Sequence, residues 1–181
     1  MILFWNLVDP CDIAIAEIAL GNKNALERVY HEYGRMILSV AYQITGDPGD
    51  AEDVLQDTMV RILRLSHTYK KGTNPKAWVL KVARNSAVDK IKAKKHTLSL
   101  EEVSEGEKTH SAFEPKTVEQ IMLRDGLNKL SREEQLVVKL RIYGELSHSE
   151  IANVMGINTV SVRKKYQRAL EKLKNYCEGG R

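Results

Sequence analysis

The sequence of 181 residues predicts an all-α fold with an N-terminal helical bundle, a flexible linker and a C-terminal helix-turn-helix domain. Three observations support this prediction. Aromatic residues make up only 6% of the chain and prolines number 4, a composition that favours helices. Apolar residues recur at spacings of three and four in both halves of the chain. Charged residues divide the chain into three segments.

The charge distribution indicates the domain boundaries. Residues 1–96 hold 14 basic and 11 acidic residues, and residues 120–181 hold 12 basic and 7 acidic residues. Between them, residues 97–119 hold 2 basic and 6 acidic residues, with Ser, Thr, Gly and Pro among them. We interpret residues 97–119 as a flexible linker. The alternative is a surface loop inside one domain, but a loop of this length without its own structure is uncommon in a compact domain.

Several classes of protein are disfavoured by the composition. Cys11 and Cys177 lie near opposite ends and form no C-x-x-C pair, which argues against a zinc or redox site and fits a reducing cytoplasm. No apolar run approaches the length of a membrane span. The opening MILFW is short and lacks a basic lead-in, so we interpret it as a helix cap or core plug and not as a signal peptide. The five histidines are scattered, and no nucleophile elbow or phosphate loop occurs, so we expect no catalytic residue, metal or cofactor.

The N-terminal segment is predicted to form successive helices. The first has an apolar stripe at helical spacing, formed by Ile13, Ala16, Ala19 and Leu20. Gly21-Asn22 separates it from the next helix, which ends at Thr45-Gly46. Asp47-Pro48 then opens a third helix, because Asp is a good cap and Pro suits the first helical position.

The third helix has an acidic side. Asp50, Asp53, Gln56 and Asp57 lie three and four residues apart and therefore share one face. Stabilisation of the helix dipole explains acids in the first turn but explains Asp57 badly, since that effect fades within one turn. The alternative is a docking surface for a positively charged protein. The spacing by itself leaves both interpretations open.

A tryptophan lies in the most basic part of the chain. Nine basic residues and one acid, Asp89, occur in residues 70–95, and Trp78 is in their midst. A turn at residues 70–75 precedes the helix that carries it. The ring either packs in the core, which is the commoner role, or provides a platform for an unpaired base while lysines contact the phosphates. It can also do both.

The C-terminal segment resembles a helix-turn-helix. Capping boxes begin at Ser131 and Ser147, each with a glutamate three residues later, and each predicts the start of a helix. A turn at Gly156 separates the second of these helices from a longer one. Six basic residues and one acid, Glu171, occur in residues 163–174. A charged solvent-exposed face is the default explanation, but the boxes, turn and charge together favour DNA binding in the major groove.

Three stretches resemble the bacterial sigma factors of the extracytoplasmic-function (ECF) group, the two-domain minimal type. DAEDVLQDTM at residues 50–59 is similar to that family's polymerase-binding motif. WVLKVARNSAVDKIK at residues 78–92 is similar to its W-L-x-x-I-A-R-N pattern, and residues 147–173 are similar to its C-terminal helix-turn-helix. The order and spacing of the three make the resemblance specific.

The resemblance implies a role for each surface. The acidic helix would dock on core RNA polymerase through Asp50, Asp53, Gln56 and Asp57. The turn and the tryptophan helix would capture the separated −10 element, with a flipped base. The residues implied for this are Lys70, Lys71, Asn74, Trp78, Lys81, Arg84, Asn85 and Lys92. The −35 element would be contacted as duplex by Ser161, Arg163, Lys164, Lys165, Gln167 and Arg168.

The resemblance further implies an anti-sigma partner, a cytoplasmic location and a linker that threads the polymerase channels. The sequence departs from the family pattern at Met59, where Phe is preferred, and at Val160-Ser161, where Gly-Thr is common. These departures leave the −35 sequence open. Two rival interpretations are a simple helix-turn-helix regulator, which would need neither the acidic face nor the aromatic-basic helix, and an enzyme acting on nucleic acid. The scattered histidines disfavour the enzyme.

Overall fold

The computed structural model describes residues 9–98 and 124–179. The chain divides into two compact units, Met1–Glu105 and Gly106–Arg181. The described residues are helical with connecting turns, which confirms the predicted all-α fold. The opening MILFW lies outside the described residues. The flexible linker stays a prediction, because residues 99–123 also lie outside them.

The first unit is built from four helices. Their bounds are α1 Pro10–Ala19, α2 Leu26–Thr45, α3 Pro48–Leu65 and α4 Pro75–Leu98. Helices α2, α3 and α4 pack against one another, and α1 lies mainly against α2. Short 3-10 turns at Lys23–Ala25 and Ser66–Thr68 connect them. The core of this unit is mainly aliphatic with one buried tyrosine, and its largest buried side chains include Ile15, Tyr33, Ile37, Ile62 and Leu80.

The start of α3 follows the predicted chemistry. The Asp47 side chain accepts a hydrogen bond from the Asp50 backbone N–H at 2.8 Å, and Pro48 is the first helical residue. Gly46 ends α2 with φ 76°, a left-handed conformation that favours glycine. These local signals determine where the chain turns from α2 into α3.

The predicted stripe of α1 is wrong. The structure buries the neighbouring face, formed by Cys11, Asp12, Ala14, Ile15 and Ile18. Ile13 is exposed, and Leu20 is 89% exposed. The sequence PCDIAIAEIA has apolar residues on every side, so spacing alone does not choose the buried face. The packing of α1 against α2 determines which face of α1 is buried.

The second unit contains the predicted helix-turn-helix. Its helices are α5 Arg132–Ile142, α6 His148–Met155 and α7 Thr159–Gly179, and residues 124–128 are also helical. Both capping boxes are present, at Ser131 with Glu134 and at Ser147 with Glu150. These local hydrogen bonds determine where α5 and α6 begin.

The turn between α6 and α7 depends on glycine. Gly156 caps α6 in the left-handed conformation, with φ 67°. Asn158 then caps α7, because its side-chain oxygen accepts the Ser161 N–H at 2.8 Å. Behind the turn, the buried core includes Leu140, Ile151 and Val162. This packed core fixes the position of α7 and leaves its other side exposed.

Candidate functional surfaces

The acidic surface of α3 faces solvent. Asp53, Gln56 and Asp57 are exposed, and Asp50 is half-buried. The buried side of α3 is formed by Ala51, Val54, Thr58 and Ile62. The four predicted docking residues therefore lie on the sides of α3 that are turned away from the core.

These acids already have basic partners, which the sequence did not reveal. Asp50 lies 2.8 Å from Lys94 Nζ and 3.7 Å from Lys90 Nζ, and Asp53 lies 2.7 Å from Lys90 Nζ. Both lysines belong to α4, far along the chain. Hydrogen bonds to Asp53 and Asp50 raise the pKa values of Lys90 and Lys94 respectively, so both stay charged.

Arg61 extends this ion-pair network. Its guanidinium lies 2.8 Å from Asp57 on α3 and 2.8 Å from Asp89 on α4. The hydrogen bond to Asp89 is the main cause of the raised pKa of Arg61. The acidic surface is therefore a mixed-charge surface in which each acid is held in a defined position.

A groove runs between α3 and α4 beside these pairs. It is lined by Asp53, Val54, Gln56, Asp57, Val60, Arg61, Ser86, Asp89, Lys90 and Ala93. Val60 is 46% exposed in it. The Ser86 hydroxyl is buried and has no hydrogen-bond partner among the residues that the structure describes. The groove therefore places an exposed apolar residue beside charged side chains.

Trp78 is half-buried on α4. Its ring packs edge-on against Tyr69, with centroids 5.5 Å apart and an interplanar angle of 61°. Such an arrangement is favourable for two aromatic rings. Trp78 therefore packs against Tyr69 without being fully buried, and its role as a platform for an unpaired base stays a prediction.

The other predicted residues of α4 share the outer side of the helix with Trp78. Asn85 and Lys92 are exposed, and Lys81 and Arg84 are half-buried. Arg84 Nη1 lies 3.3 Å from Asn85 Oδ1. Positions 78, 81, 85 and 92 recur at helical spacing, so they form one aromatic-basic surface.

The turn before α4 completes this surface. Lys70 and Lys71 are exposed there. Asn74 also has a structural role, since its side-chain oxygen accepts the Ala77 N–H at 3.1 Å and caps α4. The structure thus brings all eight residues predicted for the −10 element to the turn and the outer side of α4.

A buried acid beneath this turn was missed by the sequence reasoning. Asp12 of α1 accepts hydrogen bonds from the Tyr69 hydroxyl and, at 2.9 Å, from the Gly72 backbone N–H. Burial, and next the bond to Asp12, raise the pKa of Tyr69, which therefore remains a donor. No sequence motif predicts this role of Asp12, because its hydrogen-bond partners are 57 and 60 residues away along the chain.

In the second unit, α7 presents a basic surface. Arg163, Lys164, Gln167 and Arg168 are exposed, and Ser161 is half-buried. Lys165 differs from them, since its ammonium pairs with Glu133 of α5 and its side chain is only 30% exposed. Val160, which is 59% exposed, lies near Arg163 and Lys164 by helical spacing.

A second ion pair joins α7 to α5. Lys172 Nζ lies 2.7 Å from Glu134 Oε2, and the Glu134 residue is buried. Burial alone raises the pKa of this carboxyl, but hydrogen bonds from Lys172 and Ser131 outweigh it and hold the pKa below its usual value. This pair fixes α7 against α5.

Two further observations concern the described residues only. Residues 9–98 and 124–179 contain no group of three or more His, Cys, Asp or Glu that could hold a metal ion. None of the helices in these two ranges is long and apolar enough to cross a membrane.

Comparison with known families gives two matches. Residues 29–97 match the family Sigma-70 region 2, and residues 120–173 match Sigma-70, region 4. Together they cover most of the chain, and they occur in the order in which the two compact units occur.

Curated relatives agree with these matches. The chain is 28% identical over 159 residues to the ECF RNA polymerase sigma factor BldN of Streptomyces coelicolor, covering 84% of this chain and 60% of that protein. It is 26% identical over 165 residues to the ECF RNA polymerase sigma factor SigL of Mycobacterium tuberculosis, covering 89% and 90%. It is 26% identical over 160 residues to the RNA polymerase sigma factor YlaC of Bacillus subtilis, covering 84% and 92%.

Solved structures share the fold. CnrH, determined in complex with the cytosolic domain of CnrY, matches with a TM-score of 0.65 and 21% identity, over 94% of this chain and 99% of that one. The sigma factor RpoE from Bartonella quintana, determined in complex with the anti-sigma factor NepR, matches with a TM-score of 0.67 and 19% identity, over 86% and 98%. At these identities the similarity concerns the fold.

Proposed function

The chain belongs to the ECF sigma factors, and from this premise we propose that it binds core RNA polymerase through α3 while its Trp78 surface and α7 contact promoter DNA. In this scheme, it directs transcription initiation in the cytoplasm. The polymerase makes the RNA, and the chain itself catalyses no reaction.

The observation that carries the proposal is the placement of two surfaces on different, adjoining sides of α4. Lys90 and Lys92 are two residues apart, so their side chains point about 200° apart around the helix axis. Lys90 contacts the acidic surface of α3, whereas Lys92 is exposed on the side that carries Trp78. Asp89 lines the groove and is four residues from Asn85, so the groove borders the aromatic-basic surface. A protein that covers the α3 groove without reaching past Asp89 leaves Trp78 and Lys92 open to DNA.

The ion pairs define the partner that fits the α3 groove. A docking protein must offer basic groups to Asp53 and Asp57, in competition with Lys90 and Arg61. It must also offer an apolar residue to Val60, which is 46% exposed. A helical surface with alternating basic and apolar residues meets these requirements, as proposed for core polymerase.

For the −10 element, the proposal assigns distinct roles to the aromatic ring and the basic residues. The accessible part of Trp78 would stack on an unpaired base, a contact worth roughly 1–3 kcal/mol. Lys70, Lys71 and Lys92 would contact the backbone phosphates. Flipping a base out of the duplex costs a few kcal/mol, so several such contacts are needed together.

For the −35 element, α7 would lie in the major groove of duplex DNA. Its exposed residues are Arg163, Lys164, Gln167 and Arg168, with Ser161 near the start of the helix. Arginine and glutamine bond base edges, and lysine suits phosphate contacts. Lys165 was also predicted to contact DNA, but its pairing with Glu133 makes it the weakest candidate of the six.

An anti-sigma factor is the remaining proposed partner. The structure of RpoE was determined with the anti-sigma factor NepR, which supports the same class of partner for this chain. Such a protein would compete with core polymerase if it covered the α3 groove.

The proposal is tested by reconstitution with core polymerase. The test variant is Asp53→Asn/Asp57→Asn, and the matched control is Asp47→Asn/Glu52→Gln, which also removes two carboxylates from the α3 segment. Asn at position 47 can still cap the helix. We expect the test variant to lose at least about tenfold in core affinity, equivalent to about 1.4 kcal/mol, and to lose initiation on a promoter pool. The control should behave as wild type.

Stability must be measured alongside. Asp53 and Asp57 pair at the surface, so the folding free energy should change by less than about 1 kcal/mol. If the wild type binds duplex DNA but never joins core polymerase, and the test variant matches it, the chain would be an ordinary helix-turn-helix regulator.

A further inference from the structure

The most unusual buried group in the first unit is the Asp12 carboxylate. The residue is 5% exposed, and one of its oxygens, Oδ1, accepts both the Tyr69 hydroxyl and the Gly72 N–H. Neither donor carries a charge, and both lie in the connection between α3 and α4. A buried carboxyl group is costly unless it is well hydrogen-bonded, so these two bonds stabilise its buried position.

The two bonds hold the turn that leads into α4. Gly72 has φ 82°, a left-handed conformation that side chains rarely adopt, and it directs its N–H toward Asp12. The Tyr69 hydroxyl also lies 3.0 Å from the Thr73 carbonyl oxygen. Thr73 in turn donates from its N–H, at 3.1 Å, and from its hydroxyl, at 2.7 Å, to the Lys70 carbonyl. The turn is thus closed on itself and attached at its base to α1.

The same contacts orient the aromatic-basic surface. The hydroxyl of Tyr69 is held by Asp12 and its ring packs edge-on against Trp78. Lys70 and Lys71 are exposed in the same turn. A role in stabilising α1 alone is insufficient to explain this arrangement, because both donors to Oδ1 come from the turn and none from α1.

We propose that Asp12 is a positioning residue for recognition of the −10 element. It touches no DNA. It sets the backbone that presents Lys70 and Lys71 and, through Tyr69, the orientation of the Trp78 ring. This inference rests on the proposed function of the turn and of Trp78, and it adds α1 to the determinants of promoter selectivity.

The variants separate the bonds from the bulk of the side chain. Asp12→Asn keeps an oxygen that can accept both donors, whereas Asp12→Leu keeps similar volume and has no acceptor. Tyr69→Phe removes one donor and keeps the ring against Trp78, so it serves if Asp12→Leu does not fold. Val40→Ala, in the buried core of α2, is the control for lowered stability alone.

The assay uses full-length chain bound to core polymerase and a pool of fork-junction DNA with randomised −10 positions. We expect Asp12→Leu to reduce the preference for the selected bases at least about tenfold, the scale of one lost hydrogen bond to a charged group. Tyr69→Phe should lie between it and wild type. Asp12→Asn should retain most of the preference, and Val40→Ala should retain all of it. Core affinity should not change in any of them.

A second readout follows the turn directly. The Gly72 amide should exchange its hydrogen faster in Asp12→Leu, while the amides of buried α2 residues keep their protection. Unchanged base preference in Asp12→Leu and Tyr69→Phe, or an equal loss in Val40→Ala, would overturn the inference.

Failure of the underlying function gives a different result. If the wild type shows no −10 preference, or if Lys70→Ala/Lys71→Ala and Trp78→Ala leave the preference intact, the assignment of this surface to the −10 element is wrong. The positioning role of Asp12 then falls with it, even if the Gly72 amide responds as expected.

Discussion

Adjacent lysines on α7 provide the sharpest test of how the second unit meets DNA. Lys164 is exposed, whereas Lys165 is turned toward α5 and pairs with Glu133. The two differ by one position and carry the same charge, so each is the other's control. We expect Lys164→Ala to weaken binding to duplex DNA and Lys165→Ala to leave it nearly unchanged.

The expected loss of DNA affinity in Lys164→Ala follows from counterion release. Each phosphate contact contributes about 0.9 to the slope of log affinity against log salt. Over a fourfold rise, from about 50 to 200 mM salt, one contact corresponds to a factor of about 3.5 in affinity. Lys164→Ala should therefore reduce the slope of log affinity against log salt by about 0.9, the contribution of one phosphate contact. Lys165→Ala should lose only the surface pair with Glu133, at most about 1 kcal/mol of folding free energy.

The assay is fluorescence anisotropy of the full chain with a short mixed-sequence duplex over a salt series, together with thermal unfolding. A mixed-sequence duplex suffices because phosphate contacts are independent of sequence. If Lys165→Ala lowers the salt slope as much as Lys164→Ala does, the pair with Glu133 opens on DNA, and α7 meets the duplex with a different side from the one inferred here.

Three further outcomes follow from the structure. A thiol reagent at mildly alkaline pH should label Cys177 in the folded chain and Cys11 only after unfolding, because Cys11 is buried and burial raises its pKa to about 12; rapid native labelling of Cys11 would contradict its placement. The carboxyl of Glu134 has a lowered pKa in the folded state, so its stabilisation is present above the ordinary pKa of 4.5 and is lost as the pH falls through the folded value. Unfolding curves of Glu134→Gln should accordingly show about 1–2 kcal/mol less stability at neutral pH and a flatter acid limb, and an unchanged acid limb would refute this. Gly156→Ala should destabilise the second unit by about 1–2 kcal/mol, because residue 156 has a left-handed backbone conformation. Chemical denaturation measures this loss. Asn153→Ala, at an exposed helical position, is the control and should have a smaller effect.

The ion pairs of α3 affect how docking should be interpreted. Because Asp50 and Asp53 are held by Lys90 and Lys94, the acidic surface is a weaker attractant than its sequence suggests. Specificity for a partner then depends on geometry and on the apolar groove as well as on charge. This is consistent with the general behaviour of interface charges, which contribute more to selectivity and association rate than to affinity.

Local signals in the sequence predicted local structure well. The capping boxes at Ser131 and Ser147 and the Asp47-Pro48 start of α3 are present in the structure. Each depends on residues no more than a few positions apart, so the order of the chain specifies it. The apolar stripe of α1 was predicted wrongly because this helix carries apolar residues on all of its faces. The spacing of such residues does not indicate which face is buried.

The sequence by itself determined the helical class, the family, and which stretches carry the acidic, aromatic-basic and recognition surfaces. Only the tertiary structure decided which side chains on those stretches are free to meet a partner. Lys165 is tied to Glu133, Asp53 to Lys90, and the turn at Gly72 to Asp12 of α1. Helix caps form between residues three or four apart and can be read along the chain. These other contacts join residues 32 to 60 positions apart, and they exist only because packing of the apolar cores brings separate helices together.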